Sequence, residues 1–180
     1  MRKMEKEQGK RGLVMVYTGE GKGKTTAAVG QAVRALGHGW RVYMIHFMKG
    51  RDYGEHLAAR RLPGLTMVKA GRDSFVNRDN PDPVDIQLAR EGFRQAREAV
   101  FSGEYDLVVL DEINVAVDFR LIPLEDLLEL VEQKPKELDL ILTGRYAHPE
   151  IIKRADMVSE ILNIKHHYDS GVESRRGIEH

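Results

Sequence analysis

The sequence predicts an α/β fold in which a mostly parallel sheet carries helices on both faces. Short, uninterrupted apolar runs such as Leu107-Val-Val-Leu110 are typical of strands that are buried on both sides. Helical patterns alternate with these runs along the chain, which favours parallel strands joined by crossover helices. The length of 180 residues suits a single domain.

Each element follows from its apolar pattern and from the residues that bound it. The strands are predicted at residues 13–17, 41–47, 65–70, 107–110, 138–142 and 157–162, and the helices at 25–36, 82–101, 123–133 and 148–155. The long helix has Asp82 as a candidate N-cap and Pro83 at its first position. Residues 71–83 are polar and rich in turn formers, so they form the longest predicted loop and a candidate lid or substrate wall.

Composition excludes several classes of protein. The 28 basic and 28 acidic side chains give a net charge of zero, which argues against a nucleic-acid partner. The absence of cysteine excludes disulfides, cysteine zinc sites and a thiol nucleophile. No long apolar run predicts a membrane span or a signal peptide, so we expect a soluble, cytoplasmic protein. Residues 1–11 are expected to be a mobile arm, and residues 12–180 a single nucleotide-binding domain.

The strongest chemical signal is a glycine-rich loop between the first strand and the first helix. It reads Thr18-Gly-Glu-Gly-Lys-Gly-Lys-Thr-Thr26 and is typical of a phosphate-binding P-loop. Its first glycine stands one residue later than in the common form, at Gly19 rather than at position 18. The expected nucleotide-binding residues of the loop are Gly19, Glu20, Gly21, Lys22, Gly23, Lys24, Thr25 and Thr26.

Two further patches belong with this loop. The strand at 107–110 ends in Asp111 and Glu112, a Walker B arrangement that places carboxylates beside Mg²⁺ (or Mn²⁺) held by Thr25. Arg145 follows the strand at 138–142 and is expected to reach a phosphate, although a solvated loop arginine is an alternative interpretation. These features predict an ATP or GTP site, and the lack of an N-K-x-D motif counts against a GTPase.

The chain resembles the ATP:corrinoid adenosyltransferases of the CobA/CobO/BtuR family from about residue 11 to its C-terminus. The resemblance rests on the loop at 18–26 together with R-A-L-G-H-G at 34–39, F-M-K-G at 47–50, L-V-V-L-D-E at 107–112, L-T-G-R at 142–145, A-D-M-V-S-E at 155–160 and K-H-x-Y-D-x-G-V at 165–172. The shifted glycine is the family's own form of the loop. The resemblance implies a P-loop NTPase-like, RecA-like fold.

The resemblance also implies a reaction. The 5′-deoxyadenosyl group of ATP is transferred to the Co(I) of a reduced corrinoid, and triphosphate is released, in adenosylcobalamin biosynthesis or salvage. The nucleotide lies in the loop in the reverse sense to ordinary kinases, so that its 5′-carbon faces the acceptor. Lys24 is then the catalytic cation of the loop. Family members are typically homodimers, and an electron donor, a flavoprotein or reduced flavin, supplies Co(I) from Co(II).

One loop departs from the family pattern. Better known members carry G-F-T-W where this chain reads Gly71-Arg-Asp-Ser-Phe75-Val76, so Phe75 is the single aromatic available to displace the lower cobalt ligand. The only tryptophan, Trp40, lies elsewhere. Phe75 is therefore a second predicted catalytic residue, and the alternative is that it anchors a lid on the core.

The histidines and the competing functions complete the predictions. His46 lies inside an apolar strand and is expected to be a hydrogen-bonded core histidine, while a zinc site at His166-His167 lacks further ligands at suitable spacing. The resemblance instead implies that Lys165, His166, Asp169 and Gly171 lie near the active site.

Two other functions stay open: a small phosphotransferase such as a kinase, and a nucleotide-gated corrinoid-binding or regulatory module.

Overall fold

The computed structural model describes residues 11–180, so most of the predicted arm at 1–11 lies outside the described residues. Six parallel strands form one sheet in the order β3-β2-β4-β5-β1-β6. The strands are β1 (Val14–Thr18), β2 (Val42–Phe47), β3 (Leu65–Ala70), β4 (Leu107–Asp111), β5 (Asp139–Thr143) and β6 (Met157–Glu160). All six predicted strands are confirmed, with ends that differ by at most two residues.

Helices connect successive strands. They are α1 (Lys24–Gly37), α2 (Gly54–Ala59), α3 (Pro83–Phe101), α4 (Ile113–Asp118), α5 (Leu124–Gln133) and α6 (Pro149–Arg154), and a 3₁₀ turn spans His167–Ser170. The four predicted helices are confirmed. The sequence analysis missed α2 and α4, which have only six residues and, unlike the equally short α6, no proline at their first position. Among the helices of residues 11–180, none has the length and apolarity to cross a bilayer.

The core lies in two layers, one on each face of the sheet. Because side chains alternate across a strand, Met44 of β2 packs on the α1 face with Ala28, while Ile45 packs on the opposite face with Phe93 of α3. The sheet is therefore covered on both sides, as predicted.

The start of α3 is set locally, as the sequence indicates. The side chain of Asp82 accepts a hydrogen bond from the amide of Val84 at 3.0 Å, with Pro83 at the first helical position. Gly92 then allows close packing on β3, because a Cβ at this position would lie 2.3 Å from that of Ala70. Arg72 joins the loop after β3 to this helix through two contacts of 2.7 Å with the buried carboxylate of Asp85.

The topology brings the three predicted chemical patches to one edge of the sheet. β5 lies between β4 and β1, and all three strands run in the same direction. The segments that follow them carry the glycine-rich loop, the carboxylates at 111–112 and Arg145. Ligands of open parallel sheets bind at this carboxyl edge.

Candidate active site

Lys24 occupies the centre of the glycine-rich loop. Its Nζ donates hydrogen bonds of 2.7 Å to the carbonyl oxygens of Gly19 and Gly21. Gly19 and Gly23 adopt φ values of +96° and +128°, which side chains with a Cβ rarely allow. The lysine is buried, and this burial lowers its pKa. The loop is thus wrapped around a single cation.

The segment after β6 supports the loop from behind. The amide of Gly21 donates to the carbonyl of Ile161 at 2.7 Å, and the amide of Ile161 donates to the carbonyl of Thr18 at 2.9 Å. A Cβ on Gly21 would lie 2.5 Å from the carbonyl oxygen of Leu162. Gly21 is therefore required by a close backbone approach, which the sequence alone did not reveal.

Asp111 lies beneath the loop, fully buried, and both its oxygens are engaged. Oδ1 accepts from the hydroxyls of Thr25 at 2.9 Å and Thr143 at 2.6 Å. Oδ2 accepts from Nδ1 of His46 at 2.8 Å and Nζ of Lys49 at 2.9 Å. Burial acts to raise the pKa of Asp111, but the His46 hydrogen bond and the Lys49 charge outweigh it and hold that pKa well below its usual range. Asp111 is a carboxylate whose four acceptor positions are filled.

Glu112 has a different environment from its neighbour. It adopts a left-handed φ of +61°, and its amide donates to the Thr143 hydroxyl at 3.0 Å. Within residues 11–180, no hydrogen bond or ion pair engages its carboxylate. Glu112 lines a large cavity that opens over the loop. Burial, followed by the charge of Asp111, raises the pKa of Glu112. The turn directs this carboxylate into the site at a conformational cost.

A cavity of about 790 Å³ opens over the loop, a volume typical of small-molecule sites. Residues of three regions form its walls: the glycine-rich loop, the β2–α2 connection with α2, and the C-terminal segment. Arg145 also lines it and pairs with Glu20 at 3.2 Å. The C-terminal residues include Asn163, His166, Tyr168, Asp169, Ile178 and Glu179.

Most of the predicted site residues meet at this cavity. Glu20 to Thr26, Glu112 and Arg145 line it, whereas Asp111 lies below it and Gly19 serves as an acceptor for Lys24. Phe75 is fully exposed and outside the cavity wall, so it is not packed on the core as the lid-anchor interpretation required. Its catalytic role stays a prediction.

Other residues were missed or only partly understood. Lys49 and Thr143 both donate to Asp111, and the sequence analysis assigned neither to the site, although they belong to the stretches F-M-K-G and L-T-G-R on which the family resemblance rests. His46 is buried and hydrogen-bonded at Nδ1 as expected, but its Nε2 has no hydrogen-bond partner among the described residues. His166 and Asp169 line the cavity, in agreement with the family resemblance, whereas Lys165 and Gly171 do not.

The parallel sheet and the loop define a P-loop protein of the RecA-like fold class. The crystal structure of the RadB recombinase is similar in fold, with a TM-score of 0.51 and 14% identity over 85% of this chain and 76% of that one. Residues 10–180 match the family model described as ATP:corrinoid adenosyltransferase BtuR/CobO/CobP. The chain belongs to this enzyme family.

Curated relatives agree with this assignment. The corrinoid adenosyltransferase of Escherichia coli K12 is 36% identical over 96% of this chain and 88% of its own length. The corrinoid adenosyltransferase of Pseudomonas aeruginosa is 32% identical over 98% of this chain. The corrinoid adenosyltransferase CobA of Salmonella typhimurium is 35% identical over 96%.

Proposed function

We propose that this protein transfers the 5′-deoxyadenosyl group of ATP to the Co(I) of a reduced corrinoid and releases triphosphate. Family membership supports adenosyl transfer to a corrinoid. The observation that carries the detailed proposal is the position of Lys24, which lies at the centre of the loop under a cavity of about 790 Å³. A loop of this kind binds the phosphates of a nucleotide.

The chemistry requires no general base. Co(I) is a nucleophile without a proton to lose, and it attacks C5′ of ATP. The C5′–O bond breaks, its electron pair leaves with the triphosphate, and the product contains a Co–C bond with cobalt formally at Co(III). The residues therefore have two tasks, which are to stabilise the leaving triphosphate and to hold C5′ in line with cobalt.

Charge at the loop suits the first task. Lys24 and Arg145 both line the cavity, and the N-terminus of α1 begins at the loop. Positive charge and amide dipoles in this position stabilise the negative charge that develops on the bridging oxygen. Lys24 needs to exchange its bonds with the Gly19 and Gly21 carbonyls for phosphate oxygens.

Magnesium fits the oxygen donors at this site. The Thr25 hydroxyl and the Glu112 carboxylate are hard oxygen ligands, which Mg²⁺ or Mn²⁺ prefers. When bound, the metal would supply positive charge that neutralises the phosphate oxygens of the nucleotide. We assign direct contact to Glu112, whose carboxylate is open to the cavity, and a supporting role to Asp111, whose oxygens already bind Thr25, Thr143, His46 and Lys49.

The remaining parts of the proposal follow the family. The acceptor is cob(I)alamin or cob(I)yrinic acid a,c-diamide, and a flavoprotein or reduced flavin reduces Co(II) to Co(I). The protein acts in the cytoplasm as a homodimer. Neither nucleic acid nor membrane is a proposed partner.

Product analysis tests the reaction. Purified protein is mixed with ATP, Mg²⁺ and chemically reduced cob(I)alamin in the absence of oxygen. We expect triphosphate and an alkyl-cobalt product in equal amounts, and the light-sensitive spectrum of the alkyl-cobalt product identifies it. A kinase would instead yield ADP and a phosphorylated acceptor, and a regulatory module would bind without stoichiometric turnover. Absence of triphosphate with Co(I) supplied would refute the proposal.

A further inference from the structure

We propose that His46, Glu55 and His56 form a second metal site, which takes a divalent transition metal of the zinc class. The site lies beside the large cavity and shares no ligand with the magnesium site proposed above. It does not depend on the proposed reaction.

The three side chains come from two neighbouring elements, and Glu55 itself lines the large cavity. His46 belongs to β2, and Glu55 and His56 belong to α2. One potential ligand atom from each lies within 4.8 Å of the others. The imidazole rings have centroids 4.5 Å apart. In residues 11–180, no other group of three histidine or acidic side chains meets this spacing.

Both histidines have a buried nitrogen without a hydrogen-bond partner among residues 11–180. The Nε2 atoms of His46 and His56 are inaccessible to solvent and have no hydrogen-bond partner within the described part of the chain. Buried polar atoms are rarely left unsatisfied, because burial without a partner costs free energy. Two buried imidazoles with their centroids 4.5 Å apart, each with an unsatisfied Nε2 among the described residues and with a carboxylate nearby, form a donor set that a metal ion would satisfy.

The surroundings of His46 prepare it for metal binding. Nζ of Lys49, which can only donate, also bonds Oδ2 of Asp111 at 2.9 Å, so this oxygen is an acceptor, and Nδ1 of His46 carries the proton and donates to it at 2.8 Å. Nε2 therefore presents a lone pair. A carboxylate that fixes the tautomer and orientation of a histidine in this way is the usual support of a metal ligand.

His56 can present the lone pair of Nε2 to a metal if it gives up its hydrogen bond with the Tyr53 amide. Its Nδ1 accepts from the Tyr53 amide at 3.1 Å, so the neutral ring carries its proton on Nε2. Binding of a metal at Nε2 moves this proton to Nδ1 and ends the contact with Tyr53. Ligand atoms around tetrahedral zinc lie about 3.3 Å apart, given bonds of about 2.0 Å, so the side chains need to move inward. Glu55 is only partly buried and has room to do so.

The donor set selects the kind of metal. Two imidazole nitrogens and one carboxylate favour zinc and its neighbours in the transition series, whereas magnesium prefers oxygen ligands alone. Three protein ligands leave a fourth position for water. Asp111 accepts hydrogen bonds from both His46 and Thr25, so it connects this site to the nucleotide loop. An ion bound here would link β2 to α2 next to that loop.

Zinc binding is the direct test, with protein that carries no affinity tag. Protein is dialysed against ZnCl₂ in excess Mg²⁺ and without ATP, and bound zinc is measured by elemental analysis. We expect one zinc per chain, and at least about tenfold weaker binding in His56→Gln. Glutamine retains an acceptor for the Tyr53 amide, so this variant should fold. Equal zinc binding by His56→Gln and the unaltered protein would overturn the proposal.

A matched control addresses the rival histidines near the C-terminus. His167 lies 3.3 Å from Glu179 and belongs to that segment. His167→Gln should bind zinc as the unaltered protein does, and loss of zinc in this variant would overturn the assignment.

Spectroscopy identifies the ligands independently of any transfer activity. With Co²⁺ as the probe and no corrinoid present, we expect the visible bands of a four-coordinate ion, and we expect them to disappear in Glu55→Gln and His46→Gln. Bands that persist in both variants would place the ion elsewhere. Circular dichroism of each variant establishes that it is folded.

Discussion

At the scale of single residues, the adjacent carboxylates of Asp111 and Glu112 have pKa values shifted in opposite directions, because their surroundings differ. Asp111 is surrounded by four donors that keep it ionised, and one of them is the hydroxyl of Thr25. Glu112 turns through a left-handed conformation and faces the cavity, where burial raises its pKa. The sequence predicted both acids beside a metal, and their different environments depend on contacts from β2 and β5.

Lys24→Ala removes the cation around which the loop is wrapped. Because a single charged donor to a developing anion contributes substantially to catalysis, we expect transfer to Co(I) to fall by at least about 100-fold. The measurement is the rate of triphosphate release. Lys153→Ala, at an exposed position on α6, is the control and should retain full activity. Near-normal rates in Lys24→Ala would contradict the assignment of Lys24.

Glu112→Gln tests the assignment of the metal contact. The substitution keeps the shape of the side chain and removes the charge, so the Mg²⁺ concentration for half-maximal activity should rise by about tenfold or more. Glu137→Gln, on an exposed turn, is the matched control. If Mg²⁺ dependence is unchanged in Glu112→Gln, Glu112 is not the contact.

At the scale of elements, the positions where strands end and helices begin determine which side chains lie at the site. The helix boundaries followed from local signals, as at Asp82 and Pro83, which act within a few residues. The short helix α4 did not, since its turn depends on Glu112 in a left-handed conformation and on the hydroxyl of Thr143 from another strand. The sequence therefore predicted the long helices and the short α6, which starts at a proline, but not α2 and α4, which are short and start without one.

Asp82→Ala should weaken the start of α3. The lost hydrogen bond to the Val84 amide lowers the free energy of unfolding by about 1 kcal/mol, which corresponds to about 2–4 °C in Tm. Thermal unfolding by circular dichroism measures this. Asp82→Asn retains a capping oxygen but loses the charge near Arg72, so it should stay close to the unaltered protein. An equal loss in both variants would show that the ion pair, not the cap, stabilises this end.

At the scale of the whole molecule, segments distant in sequence complete the cavity. The C-terminal residues lie across the phosphate loop, where Nζ of Lys22 donates to the carbonyl of Ile178 at 3.0 Å. The exposed loop with Phe75 lies at the same carboxyl edge of the sheet, following β3. The C-terminal residues are absent from the core clusters of the described chain, whereas the loop packs Val76 against the core next to the exposed Phe75.

Removal of residues 171–180 should affect binding more than stability. These residues are almost all exposed, so the Tm should change little, whereas the KM for ATP should rise by about tenfold through loss of one wall. Lys22→Ala isolates the contact with Ile178. A large fall in Tm would instead assign the segment a structural role.

Phe75→Ala tests the remaining catalytic prediction. If the exposed ring excludes the lower cobalt ligand, the variant should lose activity from Co(II) plus reductant and retain it from preformed Co(I). Phe101→Ala, at the end of α3, is a control of the same type. Equal losses from both starting states would reject the proposed role.

The sequence by itself determined the parallel α/β fold, the six strands, the helices α1, α3, α5 and α6, the glycine-rich loop and the family, because apolar periodicity, caps and motifs act over short stretches. Only the tertiary structure decided which groups surround Asp111, why Gly21 faces Leu162, and that His46 and His56 share a buried space. These facts depend on the order of strands in the sheet, which pairs residues as far apart as Met15 and Met157, 142 positions along the chain, and no local pattern encodes such a distance.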